Sequence, residues 1–198
     1  MKYDGRLFIS ARYTKQKFVD LNLSMCSKEE KWEEAIEIFE DRIRGRYLNV
    51  IREMINNKNT HIDGFCIMAL NCLLIETLLQ FKYGWSETKR ANCFHYSDFL
   101  YKEFRDIFYR RSLAETFYKD IRCGILHSAE TKNGSQLTIE QYDPILMLNK
   151  EGAISVDVIR IYEALEEYFN NYIKKLKDKE SSNERKCFLK KMMYICRN

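Results

Sequence analysis

The sequence predicts a mainly α protein: a bundle of four to five helices carrying a small β-hairpin appendage. Three observations predict it. The 198 residues include one Pro and seven Gly, so few positions interrupt a helix. Apolar residues recur at three- and four-residue steps over long stretches. One run, Phe65 to Leu79, is apolar nearly all round, as the central helix of a bundle is.

Taken in order, Arg6-Leu-Phe-Ile-Ser-Ala-Arg-Tyr13 is short and rich in strand-favouring residues, and reads as a strand. Ser27-Lys-Glu-Glu30 has the spacing of a capping box, with Glu three residues after Ser. The helix it opens runs to about Asn56, with Trp32, Ile36, Phe39, Ile43, Tyr47, Val50 and Met54 as one apolar stripe. A second helix covers about Ile62 to Tyr83, and Gly84 to about Asn92 is a loop without apolar period. Tyr96 to Phe108 and Leu113 to about Leu126 read as two further helices. Thr131-Lys-Asn-Gly134 is a turn, and residues 136–139, 145–148 and 153–156 are short strands, the last two joined by Asn149-Lys-Glu-Gly152. Val158 to Leu176 closes the fold on Ile161, Leu165, Tyr168, Phe169 and Tyr172. Residues 1–180 thus form a single domain and 181–198 a basic amphipathic tail, which either meets an RNA, partner or membrane surface or folds back on the bundle.

Composition narrows the function classes. Hydrophobic residues make up 45% and charged residues 31%, the balance of a globular chain. The longest apolar stretch is broken by Asn71 and Glu76 and is shorter than the roughly 20 residues a membrane span needs, so a membrane association is not expected. The N-terminus lacks the apolar region of a secretory signal. The seven Cys show no Cys-x2-Cys spacing, and neither His61 nor His95 completes a zinc pattern. Reduced thiols in a cytoplasmic protein without metal or other cofactor are expected. The net charge of +4 is unevenly placed: residues 174–198 hold nine Lys/Arg against three Asp/Glu. The body of the chain is therefore no general polyanion binder, and a nucleic-acid contact needs a local patch.

The most informative residues are Arg122-Cys-Gly-Ile-Leu-His127. Arg holds phosphate through a planar fork of donors, and His exchanges a proton near neutrality. Metal-free RNA cleavage needs a base for the 2′-OH, an acid for the leaving oxygen and positive charge on the developing phosphorane. His127 suits either proton role and Arg122 the third, so simultaneous acid and base chemistry calls for two copies. On a regular helix, positions i and i+5 point about 140° apart. The pair converges only if the helix loosens, with Gly124 as the candidate, or if a partner helix completes the site. Unaided by other signals, the favoured reading is the plainer one, an ion pair of Arg122 with a residue such as Asp120 or Glu115 and a His127 that caps the helix C-terminus. Arg90-Ala-Asn-Cys-Phe-His95 repeats the spacing in a loop and serves as a decoy.

Supporting positions follow. Glu76 and Asn71 interrupt the apolar second helix; a carboxylate there needs a partner, such as Arg122 or Arg46, and acts either as an orienter of the motif or as a plain buried salt bridge. Arg110, Arg111 and Lys119 are near the motif in sequence and could contact RNA phosphates, or be solvated helix charges. Phe108, Tyr109, Phe117 and Tyr118 have helical spacing and suit core or dimer contacts, though an exposed Tyr can stack on a base.

The stretch Asp120-Ile-Arg-Cys-Gly-Ile-Leu-His-Ser-Ala-Glu-Thr131 resembles the Arg-x4–6-His signature of the HEPN superfamily, in a form like that of a bacterial and phage branch. Gly64-Phe-Cys-Ile-Met-Ala-Leu-Asn-Cys-Leu-Leu-Ile-Glu-Thr-Leu-Leu-Gln-Phe81 is similar to the buried helix preceding the motif in that branch. The resemblance covers about residues 28–175. It implies a HEPN-type helical bundle and a metal-independent endoribonuclease in bacterial or phage conflict or in a toxin–antitoxin pair. It also implies RNA as substrate, a homodimer with two motifs on one cleft, and a possible antitoxin or other protein partner. Many HEPN nucleases have a polar residue, often Asn, Asp or His, directly after the Arg. Here it is Cys123, a weak donor and acceptor. A catalytically silent module binding RNA, a nucleotide or a protein is the alternative, and a membrane-surface adaptor using the basic tail is a third reading.

Overall fold

The computed structural model describes residues 2–3, 5–57, 60–88, 92–141 and 143–197, and the chain is mainly α with a small β appendage. It divides into two compact units. The first comprises residues 1–50, 80–87 and 167–198, the second residues 51–79 and 88–166.

In the first unit, β1 (Lys2–Tyr3) and β2 (Arg6–Leu7) pair antiparallel. The strand expected over residues 6–13 ends early because the backbone N–H groups of Ile9 and Ser10 both turn to the Tyr13 carbonyl. α1 (Lys15–Asp20) is capped by Thr14, whose hydroxyl accepts from the Lys17 N–H at 3.2 Å. α2 spans Glu29–Ile43, with Glu29 and Glu30 in its first turn. The capping box expected at Ser27 does not form. Its hydroxyl accepts the Ser24 N–H at 2.9 Å, and Lys28 takes the cap position without a side-chain bond.

α2 passes into a π-helical stretch, Arg44–Leu48, and then into α3 (Asn49–Asn56). A π-turn inserts one residue and rotates everything after it. The buried stripe therefore runs Trp32, Ile36, Phe39, Ile43 and then Leu48 and Ile51, while Val50 is 38% exposed. The expected continuation through Tyr47, Val50 and Met54 holds only for an unbroken α-helix. Shortening fully buried Ile51 to Val should cost about 0.5–1.5 kcal/mol, whereas Val50→Ala should stay within about 0.5 kcal/mol. Urea denaturation of the two variants checks this, and equal effects would place Val50 on the buried face instead.

The core of this unit is aromatic. The Phe39 ring lies 4.3 Å from Phe81, 5.3 Å from Phe188 and 5.6 Å from Phe169. The basic tail is helical, α9 (Ser182–Arg197), and buries Phe188, Met192 and Cys196 on one face. Buried Arg185 ties it down, donating to the Leu176 carbonyl at 2.8 Å and to both Glu29 carboxylate oxygens at 3.0 and 2.8 Å.

In the second unit, α4 (Thr60–Tyr83) supplies Ile67, Met68, Cys72, Leu74, Ile75, Leu78 and Leu79 to the core. By length and composition Asp63–Tyr83 could cross a membrane, longer than the apolar run read from sequence because isolated polar residues do not end it. Its most apolar stretch is 56% buried, which suits the core helix of a bundle equally well. α5 covers Asn92–Glu103, shifted towards the N-terminus from the expected 96–108, and Phe104 to Arg110 form turns. α6 (Arg111–Thr116), a second π-helical stretch (Phe117–Arg122) and α7 (Cys123–Ser128) follow without a break.

β3 (Gln136–Thr138), β4 (Leu146–Leu148) and β5 (Ile154–Asp157) form a sheet in the order β3-β5-β4. β4 and β5 are the expected hairpin, paired Leu146 to Val156 and Leu148 to Ile154, and Asn149 stabilises its turn by accepting the Glu151 and Ala153 N–H groups at 2.9 Å each. β3 adds to the other side of β5 in parallel, so the appendage is a three-stranded mixed sheet. β5 runs straight into α8 (Val158–Lys177), whose first turn is capped by buried Asp157 through the Ile159 and Arg160 N–H groups at 3.0 and 2.9 Å.

Candidate functional site

Arg122 and His127 converge within the second unit, and two features bring this about. The first is the π-helical stretch, closed by a bond from the Cys123 N–H to the Tyr118 carbonyl. It sets Arg122 at the junction with the regular turn of α7. The second is Glu76 on α4, which accepts Arg122 Nη2 at 2.9 Å. So held, the guanidinium places Nη1 3.4 Å from His127 Nε2. His127 is exposed, while the Arg122 side chain retains only 12% of its exposure and Glu76 21%.

Arg122 is further confined by aromatic and thiol neighbours. Its guanidinium stacks over the Tyr118 ring at 5.4 Å, a cation–π contact. Tyr118 in turn meets Tyr96 edge-on at 5.3 Å, and fully buried Tyr96 donates its hydroxyl to the Cys72 carbonyl at 3.3 Å. Burial opposes the Arg122 charge, but the hydrogen bond and charge of Glu76 outweigh it and hold the pKa above its usual value. Burial, with Cys123 beside it, pushes the Tyr118 hydroxyl up to about 12, so it stays protonated. Burial likewise raises the Cys72 thiol to about 12, which makes it a poor nucleophile.

The loop after α7 folds back over the motif helix. Ala129 adopts a left-handed conformation (φ 53°), and its N–H caps the Gly124 and Ile125 carbonyls. The Lys132 N–H returns to the Asp120 carbonyl at 3.0 Å. Buried Asp120 accepts Asn133 Nδ2 at 2.7 Å and the Ser135 hydroxyl at 3.0 Å. Asp120 is therefore the anchor of the loop, and of the three carboxylates considered for Arg122 it is Glu76 that takes the guanidinium. Gly124 is no hinge, since α7 is regular across it. It is the surface on which the loop lands, and a Cβ there would meet the Glu130 carbonyl oxygen at 2.4 Å.

The other expected residues lie in different surroundings. Asn71 is fully buried and donates to the Val158 carbonyl at 3.0 Å, a bond between α4 and α8. Cys123 is half-buried beside Tyr118. Arg111 pairs with Asp98 and lies over the rings of Phe94 and Tyr101 at 5.2 and 5.6 Å. Arg110 is exposed over Tyr109, and Lys119 is exposed. Of the decoy, Arg90 lies outside the described residues, and His95 packs edge-on against Phe94. Tyr118, read from sequence as a core, dimer or base-stacking aromatic, lies against Arg122 instead, a role the sequence reading did not assign. Its position four residues before Arg122, the spacing at which helical side chains meet, was the available signal. Among the described residues no three His, Cys, Asp or Glu side chains gather as a metal would require.

Comparison of the chain with protein-family models, curated proteins and solved structures found no match.

Proposed function

We propose that the protein is a metal-independent endoribonuclease of HEPN type, active as a homodimer. The observation that carries this reading is the guanidinium of Arg122, fixed by Glu76 at 2.9 Å and set 3.4 Å from the exposed imidazole of His127. Arg122 neutralises charge on the phosphorane, and its confinement means little reorganisation is needed as that charge develops. His127 takes the 2′-OH proton in one copy and protonates the leaving oxygen in the other. Glu76 and Tyr118 are positioning residues acting through Arg122. Exposed Arg110 and Lys119, near the motif in sequence, meet phosphates along the strand. The resemblance of the motif adds bacterial or phage conflict, or a toxin–antitoxin pair, as the setting in the cytoplasm.

Cleavage of a mixed RNA pool should persist in EDTA and leave 2′,3′-cyclic phosphate or 3′-phosphate ends, from a species that scatters light as a dimer. Cleavage abolished by EDTA and restored by magnesium, or full activity in a monomer, would refute the mechanism. A second reading, a silent module that binds RNA, a nucleotide or a protein, is favoured by one observation. The position after Arg122 carries the Cys123 thiol, directed at Tyr118, where many HEPN nucleases carry a polar group.

A further inference from the structure

α4 is apolar nearly all round yet buried on one side only. Its buried residues, among them Ile67, Asn71, Leu74, Ile75 and Leu78, share that side. Cys66, Ala69, Leu70, Leu73, Glu76 and Thr77 fall within about 120° of the opposite arc at 100° per residue, and each of them keeps some exposure. Leu73 is 41% exposed, and Phe65 on the flank of the arc is exposed as well.

This strip differs from the other exposed apolar residues. Val19 stands next to Asp20, and Met193 stands one turn from both Lys190 and Arg197. Such isolated residues need no explanation. Between Asp63 and Glu76, by contrast, α4 carries no charged residue at all. The polar groups at the end of the strip are already bonded. Glu76 accepts Arg122 Nη2 at 2.9 Å, and the Thr77 hydroxyl donates to the Leu73 carbonyl at 2.9 Å. The strip can therefore be covered without stranding a polar group.

We propose that this face of α4 is where a second copy of the chain docks, as an antiparallel helix pair with its two-fold axis at Leu73. The choice of partner rests on the nuclease reading. One chain supplies one motif His for a reaction that needs both an acid and a base, and Glu76, at the end of the strip, holds the guanidinium beside that His. Charge agrees with a self-pairing. A two-fold interface sets one patch against itself, so a charge at the axis would meet its like, and residues 64–75 bring none there. Small Cys66 and Ala69 let the helices approach to the about 8–10 Å of packed pairs. An axis at Leu73 leaves the two Glu76 residues about 9 Å apart along the helix direction, at 1.5 Å per residue. Both Arg122–His127 pairs then come to one seam.

Light scattering over a micromolar dilution series tests this. The wild type is expected as a dimer. Leu73→Asp and Leu73→Lys each set like charges across the axis and should weaken dimerisation about a hundredfold or more. Mixing the two variants should restore a dimer, because Asp then meets Lys. A Lys at this exposed position extends its ammonium to water in the monomer, so Leu73→Lys keeps the fold and decides the matter even if Leu73→Asp unfolds. A monomeric wild type, a dimer undiminished in Leu73→Lys, or a mixture of folded variants that stays monomeric would each overturn the proposal, the first leaving the face to a different protein. RNA cleavage judges the nuclease reading separately. A dimer that dissociates as described but cleaves nothing keeps this interface and removes that reading, and an active nuclease whose dimer ignores Leu73 does the reverse.

Discussion

Replacing His127 with Ala should lower RNA cleavage by about 10²–10⁴-fold, the usual worth of a positioned acid or base, and leave the fold intact. His127 is exposed, and its one polar contact among the described residues, to Arg122, is a long one. Arg122→Ala should be as damaging to turnover but less benign for stability. It would leave the Glu76 carboxylate, at 21% exposure, without its partner. That loss lies between the roughly 1 kcal/mol of a surface pair and the 3–5 kcal/mol of a buried one. His95→Ala, from the motif's decoy, should change cleavage little. Single-turnover rates on a labelled RNA, with circular dichroism to confirm folding, separate the three. Equal cleavage by wild type and His127→Ala, or binding without cleavage in both, would transfer the case to the silent interaction module.

The outline of the fold was legible because it rests on periodicity and breakers. The Trp32-to-Ile43 stripe, the all-round apolar character of Phe65 to Leu79 and the turn at Asn149 to Gly152 each act locally. The two π-turns were not legible. Nothing in Arg44-Gly-Arg-Tyr-Leu48 or Phe117-Tyr-Lys-Asp-Ile-Arg122 announces an extra residue, and the choice between α and π follows from which side chains the core accepts. Ser27 shows the same limit at a helix start, since a nearer turn claimed its oxygen. At the candidate site, the chemistry of Arg122 and His127 could be read from residue type, and Glu76 from the cost of a carboxylate on an apolar helix. Which of Glu76, Asp120 and Glu115 would meet the guanidinium depended on tertiary placement, as did the return of the 129–135 loop.

Gly124→Ala sets two magnitudes against each other. On propensity alone, Ala in a helix is about 1 kcal/mol better than Gly. Against that, the new methyl would lie 2.4 Å from the Glu130 carbonyl oxygen, a backbone atom. The loop carrying it cannot drift freely, because Ala129, Lys132, Asn133 and Ser135 are all bonded to the motif helix. Overpacking of this kind costs roughly 1–3 kcal/mol, so the variant should be net destabilised, with cleavage impaired through the displaced C-terminus of α7. Equilibrium urea denaturation measures it. A midpoint above that of wild type would mean that the loop yields and propensity prevails.

The pairing of Arg122 with Glu76 also bears on how an RNA would arrive. A guanidinium already neutralised by its own carboxylate casts little field beyond a few ångströms, and it holds few counterions for an incoming phosphate to displace. The ionic-strength dependence of association would then be set by exposed cations such as Arg110 and Lys119. Arg122 would contribute chiefly after docking, when a phosphate oxygen competes with Glu76 for Nη2.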